Sequence, residues 1–130
     1  MNNKYLLDAS AILALLQKEK GSEVVGKCLP CSAISSVNLA EVASVLNKLG
    51  MPESEVYELI NAMDIEILDF EKGTAIATGG MRNITQKKGL SLGDRACLAT
   101  AKQHKRIALT ADKAWLEFQQ DIGVEIKFIR

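Results

Sequence analysis

Five short apolar runs of strand type alternate with helical segments along this chain, and no hairpin signal such as Asn-Gly joins any two runs. The runs are K-Y-L-L at 4–7, A-I-S-S-V at 33–37, I-E-I-L at 65–68, I-A-L at 107–109 and V-E-I-K-F-I at 124–129. Between them, residues 10–18 have helix formers and helical length, and Gly21-Ser22 restarts a short helix through Val25. Residues 39–49 put Leu39, Val42, Ala43, Leu46 and Leu49 on one face, and Gly50 ends that helix. Pro52 suits the first turn of a helix running over 53–63. Helical stretches also cover 70–88, with a bend at Gly79-Gly80, then 92–104, and briefly 113–118. Strands that alternate with helices need crossover connections, which predicts an α/β fold: a three-layer α/β/α sandwich around a mainly parallel five-stranded sheet. In open sheets of this kind, ligands bind beyond the carboxyl ends of the strands, where the strand order reverses.

A chain of 130 residues has room for one core, so residues 1–130 are expected to form one domain. Apolar residues at 48% and charged residues at 25% argue against disorder. Sixteen basic residues balance sixteen acidic ones. That excludes nucleic-acid binding by bulk charge and excludes an acidic tail, but not local patches. Cysteine is present three times, as Cys28, Cys31 and Cys97, which predicts no disulfide framework and a cytoplasmic location. The opening Met1-Asn2-Asn3-Lys4 leads into an apolar stretch interrupted by Asp8, unlike a signal peptide, and no run is long enough to cross a membrane.

Four acids stand at strand-to-helix transitions. Asp8 follows the first run, Glu41 and Asp94 sit in first turns of helices, and Asp112 stands three residues after Leu109. Each can serve as a cap. Asn38 with Glu41 and Ser91 with Asp94 fit capping boxes, and Asp8 and Asp112 can each cap the helix that follows. Capping does not explain why all four are seated among apolar and small residues, as in L-L-D-A-S-A-I-L-A. Carboxylates that converge in one cleft repel unless something neutralises them, and a hard divalent cation with oxygen ligands does so. Such an ion also activates water and stabilises charge on a phosphodiester. The single histidine, His104, lies at the far end of its helix, so metal-activated water suits this chain better than a histidine base.

Four windows, in this order and at about these spacings, resemble the PIN domain family, in particular the small VapC-type toxins of toxin–antitoxin pairs. They are L-L-D-A-S-A-I-L-A at 6–14, S-S-V-N-L-A-E-V at 35–42, G-L-S-L-G-D-R-A-C-L-A at 89–99 and L-T-A-D-K-A-W at 109–115. The resemblance implies a Mg²⁺- or Mn²⁺-dependent endoribonuclease that is held inactive by a cognate antitoxin and forms homodimers. Carried over by position, Asp8, Glu41, Asp94 and Asp112 are the acidic catalytic site, and Ser10, Asn38 and Thr110 support it. Chemistry and resemblance together make Asp8 and Asp94 the most direct metal ligands, with Glu41 and Asp112 acting directly or through metal-bound waters. Setting the four acids aside leaves twelve acids against sixteen bases, a mildly basic remainder suited to RNA.

Other constellations compete. Cys28-Leu-Pro-Cys31 reads as a redox pair or half a zinc site that Cys97 and His104 could complete; against this, Cys31 leads into a strand, and small buried cysteines are common. Asp8-Ala-Ser10 lacks the second acid of an aspartyl-phosphate motif. A non-catalytic α/β interaction module, whose acids only cap helices, is the remaining alternative. Trp115 and Phe118 read as core, Lys87-Lys88 and the cluster at 102–106 as solvated helix ends or phosphate contacts, and Arg95 as a partner for a site acid or RNA. The two apolar-faced helices over 39–63 are read as self-packing or as a clasp for a partner helix.

Overall fold

The computed structural model describes residues 4–130. Met1, Asn2 and Asn3, which open the stretch read as carrying no targeting signal, lie outside the described residues. Five strands form one parallel sheet: β1 (Tyr5–Leu7), β2 (Ser32–Ser35), β3 (Glu66–Leu68), β4 (Ile107–Thr110) and β5 (Ile126–Phe128), in the order β3-β2-β1-β4-β5. The chain steps outward from β1 to β3, then returns to add β4 and β5 on the other side of β1. The strand order therefore reverses at β1, and the carboxyl ends of β1 and β4 flank the crevice where such sheets bind ligands.

The helices are α1 (Ala9–Leu16), α2 (Ser22–Cys28), α3 (Ser36–Lys48), α4 (Glu53–Met63), α5 (Lys72–Gly80), α6 (Arg82–Thr85), α7 (Leu92–His104) and α8 (Gln119–Ile122), with 3₁₀ turns at Leu29–Cys31, Gln86–Lys88 and Lys113–Phe118. The bend expected at Gly79-Gly80 is present: α5 ends at Gly80 and α6 begins at Arg82. Pro52 stands one position outside α4 as its N-cap rather than within the first turn.

Register explains the two cores. Leu6 lies between Ala33 and Ala108, and Leu7 between Ile34 and Leu109. Alternation sends the first trio to one face and the second to the other. The small face, Ala–Leu–Ala, packs with Cys97, Leu98, Ala99 and Ala101 of α7 and with Trp115 and Phe118, which are buried as expected. The large face meets Ala11, Ile12 and Ala14 of α1, Val25 of α2 and Val42 and Leu46 of α3. Among the described residues, no helix is long and apolar enough to cross a membrane.

Candidate active site

Asp8 stands where β1 gives way to α1. Its N–H still donates to the Leu109 carbonyl at 3.1 Å, in the manner of a strand residue. Its side chain caps the helix: Oδ1 accepts from the Ala11 N–H at 2.8 Å and from Ser10 Oγ at 2.7 Å, and Oδ2 accepts from Thr110 Oγ1 at 2.7 Å. Asp8 thus caps α1 from the carboxyl end of β1. Asp8 is 4% exposed. Burial pushes its carboxyl up from the usual 3.8 to about 6, against the pull of the Thr110, Ser10 and Ala11 hydrogen bonds and with added push from the charge of Asp94.

Ser10 and Thr110 are fixed in turn. The Ala111 N–H donates to Ser10 Oγ at 2.9 Å, and the Asp112 N–H donates to Thr110 Oγ1 at 3.0 Å. Each hydroxyl has one proton, and both protons go to Asp8. Asp112 is exposed and caps the last 3₁₀ turn, accepting from the Ala114 N–H at 3.0 Å. It stands at the rim, tied to Asp8 through Thr110.

Glu41 and Asp94 enter from two helices whose first turns meet. The expected capping box of Asn38 with Glu41 does not form, because α3 starts three residues earlier than the apolar pattern suggested, with Ser35 as its cap accepting from the Val37 N–H at 3.2 Å. Asn38 thereby falls inside the helix, 1% exposed, and its Nδ2 donates to Glu41 Oε1 at 2.7 Å and to the Gly93 carbonyl at 3.0 Å. Gly93 has no side chain for a reason visible here: a Cβ would stand 2.5 Å from Glu41 Oε2. The capping box of Ser91 with Asp94 does form, with Asp94 Oδ2 accepting from the Ser91 N–H at 3.0 Å and the Asp94 N–H donating to Ser91 Oγ at 3.1 Å. One turn along α7, the fully buried Cys97 lies under this junction. Burial drives its thiol well above the usual 9.0, and the charges of Asp8, Asp94 and Glu41 push it further. Three of the four expected acids therefore act electrostatically on one buried thiol.

Among the described residues, no cation is paired with these acids. The side-chain ion pairs among the described residues are Lys88–Glu117, Arg106–Glu66 and Arg130–Glu19. Arg95 turns away from its neighbour Asp94 and donates to the Thr78 carbonyl of α5 at 3.3 Å. Asn38 Oδ1 is buried without a partner. Among the described residues, no group of three or more His, Cys, Asp and Glu side chains is placed to hold a metal ion, which applies equally to the rival zinc set of Cys28, Cys31, Cys97 and His104. Sequence reasoning missed Gly93, whose signal was a glycine within the first turn of a strong helix.

A second surface feature lies apart from the acids. Leu39 and Ala43 of α3, Val56, Tyr57 and Ile60 of α4 and Ile67 of β3 line a groove of about 640 Å³, with Tyr57 66% exposed.

The PIN domain matches residues 5–120. The chain belongs to the PIN domain family. No curated protein matches it. Among solved structures, this PIN domain is similar in fold to a DNA-bound VapBC from Salmonella typhimurium, with 24% identity over 100% of both chains and a TM-score of 0.73. It is also similar to VapBC2 from Rickettsia felis bound to a DNA fragment from its promoter, with 19% identity, 95% of this chain and 97% of that chain covered, and a TM-score of 0.71. A third is a member of the VapBC family of toxin–antitoxin systems from Mycobacterium tuberculosis, with 19% identity, 98% and 99% covered, and a TM-score of 0.61.

Proposed function

We propose that this PIN domain, residues 1–130 acting as one unit, is the VapC-type toxin of a toxin–antitoxin pair: an endoribonuclease that hydrolyses RNA phosphodiester bonds with a divalent metal ion. The observation that carries the reading is Asp8, a buried carboxyl at the point where the strand order reverses, with Glu41 and Asp94 acting electrostatically on the same buried thiol and, among the described residues, no basic side chain paired with any of them. Uncompensated carboxylates at such a crevice suit a hard cation.

The donor set fits Mg²⁺ or Mn²⁺ in kind, being all oxygen, and the unpartnered Asn38 Oδ1 adds a further polar oxygen at the junction. Asp8 and Asp94 would hold the ion most directly, with Glu41 and Asp112 directly or through water. When bound, such an ion lowers the pKa of water and stabilises charge building on a phosphodiester. The chain's own residues supply the positioning. Ser10 and Thr110 hold both oxygens of Asp8, Asn38 holds Glu41 against α7, and the Ser91 box fixes Asp94 while occupying only Oδ2. Asp112, exposed at the rim, would meet the substrate side of the crevice.

Its partners on this reading are an RNA substrate, a cognate antitoxin and a second copy of itself in a homodimer, all in the cytoplasm and none a membrane. The VapBC neighbours, two of them bound to DNA and one a member of a family of toxin–antitoxin systems, support the antitoxin. Asp94→Asn tests the site. Asn keeps an oxygen for the Ser91 N–H, so the fold should survive by circular dichroism. RNA cleavage that EDTA stops and Mg²⁺ or Mn²⁺ restores in the wild type should be absent in the variant. Full cleavage by Asp94→Asn would sink the assignment.

A further inference from the structure

The catalytic reading uses neither Cys28 nor Cys31. Cys28 closes α2 and belongs to the apolar cluster around α1, while Cys31 ends the 3₁₀ turn Leu29–Cys31 and is half-buried. In a 3₁₀ turn, side chains at i and i+3 eclipse, and a rise of about 2 Å per residue puts their Cα atoms about 6 Å apart. That lies within the roughly 4.4–6.8 Å a disulfide spans. The backbone of the turn is clamped at both cysteines. Ser32 Oγ donates to the Cys28 carbonyl at 2.7 Å, and the Lys4 N–H donates to the Cys31 carbonyl at 2.8 Å. Pro30, in the turn's first positions, fixes φ and removes further freedom. A clamped turn with its cysteines three residues apart has little backbone ordering left to do when they join.

We propose that Cys28 and Cys31 form a redox-active dithiol that closes into a disulfide by exchange with a small-molecule disulfide. The half-buried Cys31, as thiolate, attacks one sulfur of that disulfide and releases the other half as a thiol. The enclosed Cys28 then gives up its proton and attacks Cys31 Sγ, displacing the second thiol. Two protein thiols are oxidised, and one small disulfide is reduced to two thiols. Closure ties the end of α2 to the start of β2, at the opposite end of that strand from Ser35, Asn38 and Glu41, so the site acids are not touched.

Trypsin places the test in separate peptides. Residues 28–48 contain both cysteines, and residues 96–102 contain Cys97. The folded protein is equilibrated with oxidised glutathione, quenched, alkylated, digested and weighed. Wild-type 28–48 is expected to lose both alkylation sites and to be two hydrogens lighter than the dithiol, while 96–102 stays alkylated. Cys28→Ser is expected to stop at one glutathionyl group on Cys31, and Cys31→Ser to remain unmodified. Wild-type 28–48 carrying two alkyl groups, a stable glutathionyl group or a link to 96–102 would overturn the proposal.

Discussion

The raised carboxyl of Asp8 makes a quantitative prediction about stability. The unfolded chain releases this proton near 3.8 and the folded chain near 6, so between those values the unfolded state binds fewer protons. Folding is then penalised as pH rises. The stability present below pH 3.8 is lost through pH 6, and the total is about two pH units at about 1.4 kcal/mol each, or about 3 kcal/mol. Full burial of the group means that solvent does not screen this away. Asp8→Asn removes the titration while keeping the shape. Urea denaturation of both proteins in EDTA, from pH 3.5 to 7.5, isolates the effect, because every other titrating group cancels in the difference. Wild type minus variant should fall by about 3 kcal/mol across that window and level off above it. A difference that stays flat, or rises with pH, would refute a buried, destabilised carboxylate. It would also remove the reason for Asp8 to recruit a cation.

Gly93→Ala forces a methyl into the Glu41 carboxylate, so it should cost about 1–3 kcal/mol in urea melts and reduce RNA cleavage together with it. Thr110→Val takes a hydrogen bond from Asp8 Oδ2 and an acceptor from the Asp112 N–H; about 1.5–3 kcal/mol should be lost at pH 7, and the Asp8 midpoint should move further up. Trp115→Ala empties a fully buried site and should cost about 3–5 kcal/mol by thermal or chemical unfolding, without changing the metal dependence of whatever activity the folded fraction retains.

Elements whose ends carry local chemistry were legible in the sequence. The helix expected over 92–104 is α7 to the residue, because Ser91 and Asp94 settle its start without reference to any other part of the chain. The start of α3 was misread, since Ser35, Ser36 and Asn38 are all competent caps and only the packing against α7 decides among them. The run at 124–129 yields only three paired residues, Ile126–Phe128, because β5 is an edge strand whose extent is set by its one neighbour. Site acids could be nominated from their apolar windows. Their mutual support could not, since Asn38 reaches a carbonyl 55 residues away and Thr110 a carboxylate 102 residues away.

The Ala–Leu–Ala layer beneath α7 has a consequence for how this site can change. The methyl groups of Ala33 and Ala108 flank Leu6 in the layer on which α7 packs. Asp94 rides on α7, whereas Asp8 is anchored to the strand below it. The gap between the two acids is therefore calibrated from inside the core. Valine at either alanine would act as a shim, lifting the helix and widening the gap between the two acids from buried positions. Variation at residues 33 and 108 is thus a route by which a chain of this kind can retune the spacing of Asp8 and Asp94 with every acid left in place.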